Sequence, residues 1–478
     1  MSMGKSLAVL PIKTPLGFYF YETNRNEIVA INEELYDYIC AVINGNMDMI
    51  RIASKEIKKD YEYLEECGYL QAYRIKEIEH PLTKQVGNLL ARKMDKITLQ
   101  ITQNCNLRCT YCIYSENLNL GQRSHSQNVM SFETAQKSLD FYRNHSIDSE
   151  QISIGFYGGE PLMEFELIKK IVRYSESIFE GRKIIYSVTT NATLLTDTII
   201  EYLVENRFNV LVSLDGPKEI QNRNRKFPSG QGSFDIAISN IRKLSRRMAE
   251  TDKEISISMV IDSKTLYSEL IKLFDDPDLK TAELLYTYVE EDAQYVRPNE
   301  KYIEEYNYDL FLGMLSLFRK NGTSSYPSKI VERDILAFND GNERFKPNVL
   351  GIVAAPSGPC IPGKVRMFVN CFGELYPCER VNEDHCMQIG TIESGINVEK
   401  AEQLLNIGQL TSNSCRKCWA FSLCTICAKR IEVDGKLSRE RKMEVCKEAK
   451  NIAYNKIMNK ILVYENEIHA KKRRKSKT

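Results

Sequence analysis

Three cysteines, Cys105, Cys109 and Cys112, stand in the spacing C-x-x-x-C-x-x-C within Thr102-Gln103-Asn104-Cys105-Asn106-Leu107-Arg108-Cys109-Thr110-Tyr111-Cys112. Three thiolates on one loop hold three irons of a four-iron cluster. The fourth iron is left open to a small molecule, the usual requirement for chemistry at a cluster as opposed to electron storage. Zinc is the competing reading, but a closed tetrahedron needs a fourth Cys or His at hand, and the nearest imidazole is His125. A second group runs Cys360, Gly373, Cys378, then Cys415-x-x-Cys418, Cys424, Cys427 and Cys446. Paired C-x-x-C units alone suggest a zinc ribbon, yet seven or more cysteines exceed what one zinc uses. Of the 14 cysteines only Cys40 and Cys67 stand apart, and both read as core residues.

The first triad follows directly on an apolar, β-branched run at Ile97–Thr102. Similar runs recur at Ile152–Phe156, Ile184–Thr190, Val210–Leu214, Ile255–Val260 and Leu284–Val289, with helical patterns at Ser131–His145, Glu164–Phe179 and Phe234–Met248 among those between them. Six βα units in a row predict an α/β fold, a parallel sheet curled into a partial barrel with its chemistry at the C-terminal ends of the strands. Polar motifs fall at those ends. The second strand leads into Tyr157-Gly158-Gly159-Glu160-Pro161, the third ends on Thr189-Thr190-Asn191, and the fourth on Ser213-Leu214-Asp215-Gly216-Pro217. Two adjacent glycines admit close backbone approach to a ligand, and the glutamate brings a charge.

Before this core, apolar stretches at Phe18–Tyr21 and Glu27–Ile31 precede helical patterns at Glu34–Ile43 and Ser54–Cys67, the latter with Ser54 as N-cap and Gly68 as stop. The expected organisation is a strand-then-helix module over 1–85, the barrel over 93–320, a turn-rich bridge over 321–357, a Cys-rich domain over 358–450, and a C-terminal helix with a basic tail over 451–478. Composition is that of an ordinary globular chain, with 43% hydrophobic and 27% charged residues. The net charge is +1, although the tail KKRRKSKT carries six basic groups and no acid, so the global balance gives no basic groove for nucleic acid. No run approaches the roughly 20 apolar residues of a membrane span, and the first residues lack a signal-peptide core, so a cytoplasmic protein is expected.

The Cys105/Cys109/Cys112 triad, the GGEP stretch and the SLDGP stretch, in that order, resemble the radical S-adenosylmethionine superfamily. The resemblance implies that S-adenosylmethionine chelates the open iron and is cleaved by one electron to methionine and a 5′-deoxyadenosyl radical. It also implies that Tyr111 packs near the adenine and that Gly158, Gly159, Glu160 and Pro161 meet the methionyl amino group, with Asn191, Ser213 and Arg225 lining the rest. Many relatives carry His-Asp four and three positions before this arginine, where this chain has Gln221 and Asn222. The second cysteine group resembles the SPASM extension, which houses two auxiliary four-iron clusters. By that likeness Cys360, Cys378 and Cys427 share the first, and Cys415, Cys418, Cys424 and Cys446 hold the second. Cys371 is the expected fourth ligand of the first, unless that iron stays open to a substrate thiolate; Cys386 competes for the place, its other reading being a buried free thiol. Cys424 and Cys427 are separated by two residues where the pattern usually has three. Some relatives place an acidic residue directly after the cysteine matching Cys378, where it accepts a substrate proton, and Glu379 stands there, with a salt bridge as the alternative reading.

The run Ile113-Tyr114-Ser115…Arg123-Ser124-His125-Ser126…Met130-Ser131 resembles enzymes that install sulfur-to-carbon thioether bridges in peptides, the sactipeptide and ranthipeptide maturases, as do Cys360-Ile361-Pro362-Gly363 and Tyr376-Pro377-Cys378-Glu379. The implied partners are a Cys-rich precursor peptide gripped through its leader by a winged-helix-like N-terminal module, and a low-potential electron donor such as flavodoxin or ferredoxin. The rival readings are a maturase generating formylglycine on sulfatases, a carbon–carbon peptide cross-linker, and a zinc-ribbon scaffold without turnover.

Overall fold

The chain begins with three antiparallel strands, β1 (Val9–Lys13), β2 (Phe18–Glu22) and β3 (Glu27–Ile31), followed by helices α1 (Glu33–Asn44), α2 (Met47–Ile52) and α3 (Lys55–Glu66). The computed structural model describes residues 6–114, 125–291, 294–319, 326–340 and 347–475. Ser115, Arg123 and Ser124 of the resembling run lie outside the described residues, as do residues 1–5 and 476–478. Ser54 caps α3 by accepting from the Ile57 amide, and Gly68 follows its end at φ +85°, a left-handed turn that costs glycine nothing. One face of the small sheet sends Phe20 against Leu35, Ile39, Ile57 and Tyr61. The other sends Ile12, Tyr19 and Tyr21 against Ala453, Ile457 and Ile461 of the C-terminal helix Arg439–Lys475, where Tyr19 also donates to Glu465 at 3.0 Å.

After β4 (Glu77–Ile78) and α4 (Val86–Arg92) come β5 (Ile97–Thr102), α5 (Phe132–His145), β6 (Ile152–Gly158), α6 (Phe165–Ile178), β7 (Ile184–Thr190), α7 (Asp197–Glu205), β8 (Asn209–Ser213), α8 (Lys218–Asn224), α9 (Phe234–Ala249), β9 (Ser256–Ile261) and β10 (Glu283–Tyr288). Strands β5 to β10 pair in parallel, each with the next in sequence, which makes the α/β partial barrel. Alternation along β5 puts Ile97, Leu99 and Ile101 into the main core and turns Thr98, Gln100 and Thr102 to the other face.

Beyond the short ribbon β11 (Glu290–Glu291) and β12 (Gln294–Tyr295), a strand β13 (Val353–Ala354) pairs with β4. The stretch read as a turn-rich bridge contains a helix, Lys329–Asp340, whose Val331 and Ile335 pack with Met314. Four strands of the Cys-rich region, β14 (Met367–Val369), β15 (Glu374–Tyr376), β16 (Gly390–Thr391) and β17 (Gly395–Ile396), continue the barrel sheet in the order β10-β9-β8-β7-β6-β5-β14-β15-β16-β17. Because β14 runs parallel to β5, with Met367 opposite Ile97, the hairpin that carries Cys371 and leads to Cys378 is fixed to the sheet that carries the first triad. Among the described residues no helix is long and apolar enough to cross a membrane.

Candidate active site

Cys105, Cys109 and Cys112 lie on the loop that leaves the C-terminal end of β5, and the charges of Cys109 and Cys112 act on Cys105. Burial pushes the Cys105 and Cys109 thiols up to about 12, and a bound cation would bring them down and hold them as thiolates. Two glycines hold the loop from below. A Cβ on Gly158 would lie 2.2 Å from the Thr102 carbonyl oxygen, and one on Gly159 would lie 2.1 Å from that of Asn104. Among the described residues no three His, Cys, Asp or Glu side chains converge as a single-ion site; a four-iron cluster instead spreads its thiolates over separate irons.

Glu160 is fully buried. It accepts from the Asn191 amide at 2.7 Å, the Thr190 hydroxyl at 2.8 Å and the Leu162 amide at 3.1 Å, yet burial pushes its carboxyl up to about 7. Asn191 reaches Asn106 at 2.8 Å and the Cys105 sulfur at 3.8 Å, tying β7 to the cysteine loop. Pro161 is buried beside Glu160, and Ser213 closes β8 at the same rim. Tyr111 donates to Asp215. Arg225 donates to the same carboxylate at 3.0 Å and lies 4.0 Å from the Cys109 sulfur and 5.5 Å from the centre of the Tyr111 ring. Asp215 went unassigned in the sequence although it stands inside SLDGP. Gln221, where the resemblance leads one to expect His, accepts from the Asp215 amide at 2.8 Å, and Asn222 accepts from the Phe234 amide at 2.9 Å, so both serve to hold this loop.

In the second group, Cys415, Cys418, Cys424 and Cys446 are brought together, each within electrostatic reach of the others. Cys427 acts likewise on Cys378. A Cβ on Gly358 would lie 1.9 Å from the Ile426 carbonyl oxygen, so the segments leading to Cys360 and Cys427 run side by side. Cys371 is placed elsewhere. It sits in the turn between β14 and β15, where its thiol donates to the Gln100 carbonyl at 3.3 Å. The pairs Phe368–Tyr376 and Val369–Leu375 put Cys378 at the other end of the hairpin, about 16 Å away at ~3.3 Å per residue. That separation corrects the expectation of Cys371 as a ligand shared with Cys378: spacing in the sequence does not show which end of a hairpin a cysteine occupies. Cys371→Ala is therefore expected to keep the full iron content of the parent, read by iron assay; loss of about four irons would restore it as a ligand. Cys386 is buried, close to Glu432 and Asp384.

Glu379, next to Cys378, is ion-paired with Arg366 at 2.7 Å. Lys96, at the foot of β5, feels both of these charges and is held below its ordinary range by burial. Its ammonium crosses Gly155 to donate to Ser187 at 2.9 Å, and nothing in the sequence marked it. The barrel sheet thus carries the Cys105 loop at one rim and Cys378–Glu379 at the other.

Residues 99–275 match the model of the radical SAM superfamily. The chain is 26% identical over 336 residues to a cysteine-type anaerobic sulfatase-maturating enzyme of Clostridium perfringens, covering 68% of this chain and 85% of that one. It is 37% identical over 147 residues to a serine-type anaerobic sulfatase-maturating enzyme of Bacteroides thetaiotaomicron, covering 30% of this chain and 35% of that one. The solved structure of native anSMEcpe with bound AdoMet superposes with a TM-score of 0.55 at 22% identity, over 78% of this chain and 99% of that chain. The Cys-rich region is consistent with a SPASM domain, and a radical SAM domain works with S-adenosylmethionine and a four-iron cluster. Residues 99–275, carrying the cysteine triad at the rim of the barrel, are a radical SAM domain homologous to that of the anaerobic sulfatase-maturating enzymes.

Proposed function

We propose that the chain joins a cysteine sulfur to a carbon of an acceptor residue in a Cys-rich, ribosomally made peptide. The observation that supports this reading is the position of Cys371, at the far end of the β14–β15 hairpin from Cys378, which leaves Cys360, Cys378 and Cys427 as the proposed ligands; a four-iron cluster on three thiolates would keep one iron for a peptide thiolate. Cys105, Cys109 and Cys112 would hold the cluster that binds S-adenosylmethionine, and Cys415, Cys418, Cys424 and Cys446 the second auxiliary cluster. The donor sets fit, being thiols alone in each case. When bound, S-adenosylmethionine supplies hydrogen-atom abstraction from an unactivated carbon.

The chain's own residues divide the remaining work. Gly158 and Gly159 let the backbone lie against the cysteine loop and, with Glu160 and Pro161, would meet the methionyl amino group, while Asn191, Ser213 and Arg225 would line the rest of the pocket and Tyr111 would pack near the adenine. Arg366 orients the Glu379 carboxylate beside Cys378, where it takes the proton of the incoming thiol. β3 is an edge strand of the N-terminal sheet, suited to adding a leader peptide as a further strand. The setting is cytoplasmic, with a flavodoxin- or ferredoxin-like reductant.

A second reading, oxidation of a Cys or Ser to formylglycine, draws on the likeness to sulfatase-maturating enzymes. Anaerobic incubation with a Cys-rich peptide, S-adenosylmethionine and a low-potential reductant, followed by thiol alkylation and tandem mass spectrometry, separates the two. Loss of about two hydrogens per link with cysteines that no longer alkylate is the expected result. A new aldehyde that captures hydrazide, in place of a cysteine, would favour the second reading, and the same two-hydrogen loss with every thiol still free would point to another oxidation.

A further inference from the structure

The C-terminal helix Arg439–Lys475 presents Lys442, Cys446 and Lys450 at intervals of four, which places them on one face. Both lysines act on the Cys446 thiol. Lys442 is only 3% exposed. Its ammonium donates to the Thr411 hydroxyl and, at 3.4 Å, to the Cys415 sulfur, and the Thr411 hydroxyl itself lies 3.3 Å from that sulfur. Among the described residues no carboxylate pairs with Lys442; the ion pairs of this helix belong to Arg441 with Glu444 and to Glu448 with Arg430. A buried ammonium without an anion is costly, so its counter-charge is the thiolate set that it touches.

We propose that Lys442 sets the reduction potential of the auxiliary cluster held by Cys415, Cys418, Cys424 and Cys446, raising it by a buried positive charge hydrogen-bonded to the Cys415 sulfur. The inference rests on the cluster assignment made under the proposed function. An added electron makes a thiolate-ligated cluster more anionic, and a cation a few ångströms away in a low-dielectric setting favours that reduced state. Lys450 is exposed, so water and salt screen its contribution.

The test is an EPR-monitored redox titration of the anaerobically reconstituted full chain, without peptide, alongside iron and zinc assays. Lys442→Gln is expected to disfavour one-electron reduction of one cluster at least tenfold, a fall of about 59 mV or more in its midpoint, with Lys442→Arg restoring most of the shift and Lys450→Gln moving it less. Thr411→Val, which removes one partner of the ammonium and one hydroxyl at the sulfur, is expected to shift the same midpoint and serves if Lys442→Gln loses the cluster. Unshifted midpoints in the variants that keep all three clusters would overturn the proposal. Zinc in this site of the parent protein would sink the cluster assignment itself, whatever Lys442 does.

Discussion

Replacing Cys105, Cys109 and Cys112 together by alanine is expected to abolish the cleavage of S-adenosylmethionine while removing about four irons per chain. The triad puts three thiols on one loop at the barrel rim, and the described structure around it is arranged to hold them. Asn191 reaches the Cys105 sulfur, Arg225 approaches the Cys109 sulfur, and the glycines of β6 support the loop. Because burial raises the Cys105 and Cys109 thiols to about 12, the loop has little reason to carry thiolates except to a metal. Formation of 5′-deoxyadenosine, followed chromatographically under strong reductant, gives the readout. The C-terminal clusters should survive the triple change, so an iron count that falls by a third with complete loss of turnover is the expected pair of results. Cleavage that persists in the triple variant would sink the radical chemistry.

The second large effect is expected from Gly159→Ala. Its Cβ would lie 2.1 Å from the Asn104 carbonyl oxygen and 3.0 Å from that of Gln103, and these are backbone atoms of the cysteine loop that no rotamer change can move aside. The Gly159 amide already donates to Thr102 at 2.8 Å and the Glu160 amide to Asn104 at 2.9 Å, so strand and loop are laced at the point of contact. Either the domain loses about 4 kcal/mol or more, in the range reserved for overpacking and strain, or the loop shifts and the cluster is not assembled. Thermal unfolding and iron content together register both. Gly87→Ala is the matched control: its Cβ meets only Val398, at 3.6 Å, an ordinary contact on a helix, and it should be neutral or slightly stabilising. A Gly159→Ala protein with parental melting and full iron would refute the role given to this contact.

How much of this was legible in the sequence depends on how local the cause is. Ile97–Thr102 and Ile184–Thr190 coincide with β5 and β7 because β-branched runs bounded by polar punctuation leave few alternatives. β1 was not read, since Pro11 interrupts its pattern; the strand tolerates it as an edge of the three-stranded sheet. α7 has little signal of its own although Thr196 caps it, because nine residues give a short apolar stripe. The cysteine triad was plain from spacing, whereas Cys371 was misplaced because its position depends on the β14–β15 register, a non-local fact. Lys96 and Lys442 carried no signal of their own: a lysine is notable only once the structure shows it buried against Ser187 or the Cys415 sulfur.

The proposed chemistry needs one chain to carry three iron–sulfur sites, two of them with an iron left for a small molecule or a thiolate. Metal analysis of the anaerobically reconstituted chain, combined with Mössbauer spectroscopy of iron-57 protein, tests it most directly. About twelve irons per chain, all in four-iron clusters and without stoichiometric zinc, is the predicted result. About four irons with zinc in the C-terminal cysteines would contradict it, and would leave a radical SAM domain joined to a structural zinc module.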